Sequence, residues 1–212
     1  LTMAEVQELS EIDFLAIRNI VYEVCGVFCD NKVVLANRLL RRMSELQIQD
    51  FRRYYLLLKY DPGREEELEL LLQEILVNET YFYREPLQLQ AFEREILPPL
   101  ARTLAGQRRL RIVSAGCSTG EEAYTLAVLV RDSRLFEGWD VEVVGADISR
   151  RCLAAARAGA YGDHAFRSPE AEHMRRWFRL RGGKWVVDEA LRRMVRFTRE
   201  NLLVLLEASG KR

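Results

Sequence analysis

The sequence predicts an α/β protein in two parts: a small all-helical N-terminal domain, then a doubly wound parallel-sheet domain with a small antiparallel β-subdomain. Three observations predict it. Apolar residues recur only at helical spacing through residue 77. Beyond residue 108 the order becomes strand, glycine-rich turn, helix, strand, acid, helix, strand. Between Ser168 and Leu191 that alternation breaks around Arg181-Gly182-Gly183, a hairpin signal. The expected boundaries are 1–77 for the helical domain, 78–107 for an interdomain segment with a linker helix, and 108–212 for the sheet domain, its β-subdomain at about 168–191.

The helical part is read element by element. Ser10 with Asp13 forms a capping-box-like start. Phe14, Ile17, Val21 and Val24 follow on one face, and Gly26 stops the helix. A second helix runs from about Lys32 to Leu46 on Ala36, Leu39, Leu40 and Met43. Asp50 caps a third, carrying Phe51, Tyr54, Tyr55 and Leu58. After the Asp61-Pro62-Gly63 turn, a fourth buries Leu68, Leu71, Leu72 and Ile75. In the second part, Pro86 opens a helix on Leu89, Phe92 and Ile96 that Pro98-Pro99 should end. Strands are expected at Leu110–Ser114, Trp139–Ala146 and Met194–Thr198, with helices at Glu121–Val130 and Ile148–Ala158.

Composition excludes several classes of function. The chain has 212 residues, enough to bury a real core, and 49% are apolar and 30% charged, as in globular proteins. Thirty-two basic residues balance 32 acidic ones, so bulk affinity for nucleic acid is not expected. No apolar run of 18 residues exists, so no membrane insertion is expected, and no signal-peptide pattern opens the chain. Cys25, Cys29, Cys117 and Cys152 lack metal-site spacing with His164 and His173, so no metal site and reduced thiols in the cytoplasm are expected. One local imbalance stands out. From Lys32 to Lys59 there are seven basic residues against two acidic ones, and Arg38, Arg41 and Arg42 share one helical stripe. Such a stripe either is a solvated face or steers an acidic partner.

The candidate site lies at the end of the first strand of the sheet. Gly116 and Gly120 allow a backbone to approach a ligand there, in a spacing that is neither GxGxxG nor a P-loop. Glu121 and Glu122 fill the first helical turn, the place a phosphate would otherwise take. They either complement the helix dipole, worth ~0.3–1 kcal/mol each, or select a cationic ligand. Asp147 ends the second strand, where an acid accepts hydrogen bonds from ribose hydroxyls. A nucleoside with a positive group and no phosphate satisfies these features. S-adenosylmethionine is such a molecule; NAD, the competitor, needs a phosphate site.

Several motifs then occur in order: Asn78 to Glu85 (NETYFYRE), Ser114 to Tyr124 (SAGCSTGEEAY), Ala146-Asp147-Ile148, Ala156 to Tyr161 with Phe166-Arg167, Val195-Arg196-Phe197 and Asn201-Leu202-Leu203. Together they closely resemble the chemotaxis receptor methyltransferases, the CheR family, over nearly the whole chain. The resemblance implies a Rossmann-like methyltransferase domain and methylation of glutamate carboxylates on the cytoplasmic helical bundle of chemoreceptors. The methyl donor is S-adenosylmethionine, leaving S-adenosylhomocysteine. It implies cofactor contacts from Asn78, Thr80, Arg84, Glu121 or Glu122, Asp147, Asn201 and Leu202, beside the Gly116 backbone. Arg84 either orients the incoming carboxylate by a bidentate contact or forms an interdomain salt bridge with no catalytic role. Arg38, Arg41 and Arg42 become the candidate docking face for the acidic receptor. The family pattern continues beyond Asn201-Leu202 into a fourth strand, whereas this sequence stops at Arg212. The C-terminal part of the sheet is thus expected to be missing, with the first strand an unpaired edge open to self-association. The alternative function is a catalytically incomplete module that binds cofactor and docks on receptors. Nucleic-acid methylation is disfavoured by the absence of an Asp/Asn-Pro-Pro-Tyr/Phe motif and by the neutral charge.

Overall fold

A computed structural model of the chain describes residues 8–76 and 78–202. It divides into two compact units, Asn78–Glu200 and the residues outside that range.

Among the described residues of the first unit four helices form, three of them behind a capping side chain. The Ser10 hydroxyl accepts from Asp13 N–H and starts α1 (Glu11–Cys25), and Gly26 ends it in the left-handed region at φ 74°. Asn31 caps α2 (Lys32–Glu45), Asp50 caps α3 (Phe51–Tyr60), and α4 is Arg64–Ile75. Their facing sides bury Ile17, Val21, Leu35, Leu39, Met43, Tyr54, Leu58 and Leu71 completely or nearly so.

This packing corrects the expectation of a three-arginine surface stripe. Arg42 lies three residues beyond Leu39 and next to Met43, both buried, so the helical period turns it inward. Its guanidinium donates to both oxygens of Glu67, Nε to Oε1 at 3.0 Å and Nη2 to Oε2 at 2.7 Å. Tyr54 Oη donates to the same Glu67 Oε1 at 2.6 Å. Arg38 donates to the Glu74 carbonyl, and Arg41 pairs with the Glu74 carboxylate at 3.0 Å. Of the three, only Arg41 keeps a largely exposed side chain.

The second unit is built on a parallel sheet of β1 (Arg109–Ala115), β2 (Asp140–Asp147) and β6 (Val195–Arg199) in the order β1-β2-β6. Leu110 pairs with Val141, Ala115 with Ala146 and Asp147 with Arg199, which brings the strand ends level. Helices α7 (Glu121–Asp132) and α8 (Arg150–Ala158) follow β1 and β2 as expected, and a short α9 (Glu189–Arg192) precedes β6. Among the described residues β1 has a strand partner on one side only.

Three expectations are corrected in this unit. Pro98-Pro99 do not end the helix begun at Pro86. That helix runs as α5 (Pro86–Ala91), a π-helical turn (Phe92–Ile96) and α6 (Leu97–Thr103), with both prolines in the first turn of α6, where a missing N–H is harmless. Leu97 at the junction is fully buried with Leu110, Val130 and Phe136. Residues 78–107 are not a segment between domains, because they belong to the second unit. Phe82 anchors them, with ring centroids 4.5 Å from Phe166, 4.9 Å from Tyr161 and 5.0 Å from Phe178. The small antiparallel sheet begins earlier than Ser168. Its order is β3-β5-β4, with β3 Ala160–Tyr161, β4 Phe178–Arg181 and β5 Lys184–Val187, and Tyr161 lies opposite Trp185. Gly182 and Gly183, at φ 54° and 74°, make the two-residue turn between β4 and β5.

Glu67→Ala leaves the buried Arg42 guanidinium with only the exposed carboxylate of Glu45, so it should destabilise the helical unit by about 3 kcal/mol, measured by urea unfolding. Tyr54 adds a pH dependence. Burial and the neighbouring Glu67 push its phenol well above the usual value of 10.0. The unfolded chain loses that proton first, so stability present up to about pH 10 should fall as the pH rises further.

Candidate active site

The ends of β1 and β2 are tied together by backbone and by one carboxylate. Gly116 and Cys117 N–H both donate to the Ala146 carbonyl, at 2.8 and 3.0 Å. The Asp147 carboxylate accepts from Ser118 N–H at 2.7 Å through Oδ2 and from Ser149 N–H at 2.8 Å through Oδ1. It thereby joins the loop after β1 to the N-cap of α8, where Ser149 Oγ accepts from Cys152 N–H. Ser118 is held at φ 48°, a left-handed conformation rare for a side chain with a Cβ. Its Oγ donates to the Asn78 carbonyl at 3.1 Å, which lays the 78–85 segment against the loop.

The two glycines do different work. A Cβ on Gly116 (φ 72°) would meet nothing within 4 Å, so open space lies above this backbone. A Cβ on Gly120 (φ 94°) would lie 2.9 Å from Ala156 Cβ, 3.0 Å from Phe197 Cζ and 3.1 Å from Tyr161 Oη. Gly116 leaves room for a ligand, and Gly120 lets α7 pack closely.

The acids at the start of α7 also differ. Glu121 is buried and accepts from Thr119 Oγ1 at 2.6 Å through Oε2. Desolvation pushes its carboxyl pKa up, against the Thr119 hydroxyl, its backbone N–H and the positive charge of Arg167. Glu122 is exposed and accepts from Ser114 Oγ at 2.6 Å. A buried acid short of cationic partners beside an open glycine backbone fits an ammonium or sulfonium ligand and opposes a phosphate. Asp147 uses one lone pair on each oxygen, so each retains one for a hydroxyl. These residues fit S-adenosylmethionine.

The other expected residues are placed as follows. Arg84 is exposed, and its Nη1 donates to the Glu79 carbonyl at 2.9 Å. Thr80 is half-buried on the same segment. Asn201 falls in the first unit, where its amide donates to the Val24 carbonyl at 3.1 Å. Leu202 is the last described residue and is half-buried. Cys117 is buried and its thiol is pushed up to about 12, chiefly by desolvation, so it stays protonated and is no nucleophile. Sequence reasoning missed the work of Ser118, Thr119 and Tyr161, whose Oη donates to the Thr119 carbonyl at 2.8 Å. All three lie inside the recognised motifs, but nothing local distinguished them from filler.

A doubly wound domain with an acidic crevice at its strand ends fits a nucleoside-cofactor enzyme, and comparison with known proteins identifies a methyltransferase. Residues 78–211 match the SAM binding domain of the CheR methyltransferases, and residues 12–76 match their all-alpha domain. The chain belongs to the CheR methyltransferase family, and S-adenosylmethionine is its methyl donor. It is 31% identical to chemotaxis protein methyltransferase 2 of Vibrio cholerae, over 92% of this chain and 68% of that one. It is 32% identical to chemotaxis protein methyltransferase 1 of Pseudomonas aeruginosa, over 94% and 74% of the two chains. The probable biofilm formation methyltransferase WspC of Pseudomonas aeruginosa is 37% identical over 80% of this chain and 39% of its own length.

The glycine geometry makes a paired prediction. Gly120→Ala meets both a positive φ and three contacts near 3 Å, and should cost about 3 kcal/mol of stability by urea unfolding. Gly116→Ala meets the backbone strain alone and should cost about 1 kcal/mol. Equal losses would show that the packing against Ala156 and Phe197 is irrelevant.

Proposed function

We propose that this protein transfers the methyl group of S-adenosylmethionine to glutamate carboxylates on the cytoplasmic helical bundle of chemoreceptors. The observation that carries the reading is the pairing of buried Glu121 with Asp147 at the open end of β1 and β2, in a chain of this family. Glu121 takes the cationic amino-acid end of the cofactor, Gly116 lets the ligand approach, and Asp147 takes the ribose hydroxyls. Asn78 and Thr80 line the approach, and Glu122 supports the loop through Ser114.

S-adenosylmethionine supplies a methyl already activated on a sulfonium. A carboxylate oxygen forms the new C–O bond while the C–S electron pair leaves on sulfur, and no proton moves. The residues therefore need only orient the partners. That agrees with a crevice whose Cys117 and Tyr161 are held protonated. Arg84 orients a carboxylate by charge-assisted hydrogen bonds. Arg38 and Arg41 are the proposed receptor contacts; Arg42 acts only by holding α2 in place.

Labelled methyl transfer to a chemoreceptor cytoplasmic fragment tests this. Base-labile labelling at glutamates is expected, and its absence, with S-adenosylhomocysteine still binding, would favour the docking module without turnover. Asp147→Ala should weaken S-adenosylhomocysteine by about 1–3 kcal/mol, and unchanged affinity would remove Asp147 from the ribose site. Arg41→Glu should slow methylation and leave cofactor affinity intact.

A further inference from the structure

Arg167 is a cation held in place by groups that do not belong to any ligand. Its guanidinium carbon sits 3.8 Å from the centre of the Tyr81 ring. Nη1 donates to the His164 carbonyl at 3.3 Å, and Arg167 directly follows buried Phe166. Nη2 donates to Glu79 Oε1 at 2.9 Å. The two partners are unequal: the Arg167 side chain is 25% exposed and the Glu79 side chain 70%. An ion pair this exposed is weak, so its carboxylate exchanges readily while the stacked guanidinium stays.

Two further facts locate this pair. Arg167 lies near enough to Glu121 to oppose the upward shift of its carboxyl. The Glu79 backbone carbonyl is the acceptor for Arg84, so Glu79 separates two arginines. The reaction proposed above brings two carboxylates to this crevice, one on the amino-acid end of the cofactor and one on the receptor glutamate. One guanidinium cannot hold both in a two-pronged contact.

We propose that Arg167 is a carboxylate-binding residue of the site, and that the Glu79 carboxylate occupies it as an internal stand-in that the ligand displaces. This rests on the reading given under Proposed function. Both ligand carboxylates share the required chemistry, and the test separates them.

The measurements are calorimetric affinities for S-adenosylhomocysteine and for methylthioadenosine, which lacks the amino-acid end, together with the KM for a receptor fragment. They are made on Glu79→Gln, Arg167→Lys and Arg167→Ala. Glu79→Gln removes the competitor and should tighten S-adenosylhomocysteine or lower the receptor KM by about threefold. Arg167→Ala should worsen that same quantity by about tenfold, the loss of one charge-assisted contact, with Arg167→Lys in between. Methylthioadenosine should bind all variants alike. A change in S-adenosylhomocysteine affinity identifies the cofactor carboxylate; a change in KM alone identifies the receptor glutamate. If Glu79→Gln weakens the same quantity as Arg167→Ala, or if neither quantity moves, Arg167 only braces the 78–85 segment and the proposal fails. A protein that methylates no receptor would overturn the proposed function, while the homocysteine arm would still decide the role of Arg167.

Discussion

The crevice depends on the Asp147 carboxylate. Its two oxygens take the N–H of Ser118 and the N–H of Ser149, while the Asp147 carbonyl takes the N–H of Glu200. One residue therefore fixes the loop after β1, the start of α8 and the chain leaving β6. The bond to Ser118 N–H helps offset a left-handed conformation that costs of order 1–3 kcal/mol. From that loop the order spreads outward: Ser118 Oγ holds the Asn78 carbonyl, and Phe82 of the same segment is clamped among three aromatic rings. The acids of α7 take their positions from the same turn.

Those positions decide the chemistry that the crevice accepts. The first turn of a helix following a strand is a ready anion site, and Glu121 and Glu122 invert it. Burial makes Glu121 expensive to ionise alone, so a cationic ligand gains by supplying the missing charge. In the first unit the same physics has the opposite purpose. There Glu67 is buried against a permanent cation, Arg42, and the pair fixes how α2 and α4 pack. A buried acid with a full partner is structural; a buried acid with a partial one is available.

Much of this was legible in the sequence, and the failures have physical causes. Caps at Ser10 and Asp50 and apolar periods are local, so helix positions follow from neighbours a few residues away. The glycine turn, the acidic helix start and Asp147 are legible because strand ends fix where such residues point. What failed depends on distant contacts. The inward turn of Arg42 needs Glu67, 25 residues on, to make sense of a charge on an apolar face. The prolines at 98 and 99 end a regular helix but not one that has just widened by a π turn. Assigning Ala160–Tyr161 to the small sheet needs Trp185 opposite it. The Arg167–Glu79 pair joins residues 88 apart, beyond any periodicity.

The central claim is that the Asp147 carboxylate, rather than the surrounding packing, holds the cofactor loop. Amide hydrogen exchange on Asp147→Asn tests it most directly, since the side chain keeps its size and loses its charge. The account predicts exchange at Ser118 and Ser149 faster by about tenfold or more, the loss of a hydrogen bond to a charged acceptor, while Val143 within β2 keeps its protection. Unchanged protection at Ser118 and Ser149 would contradict it.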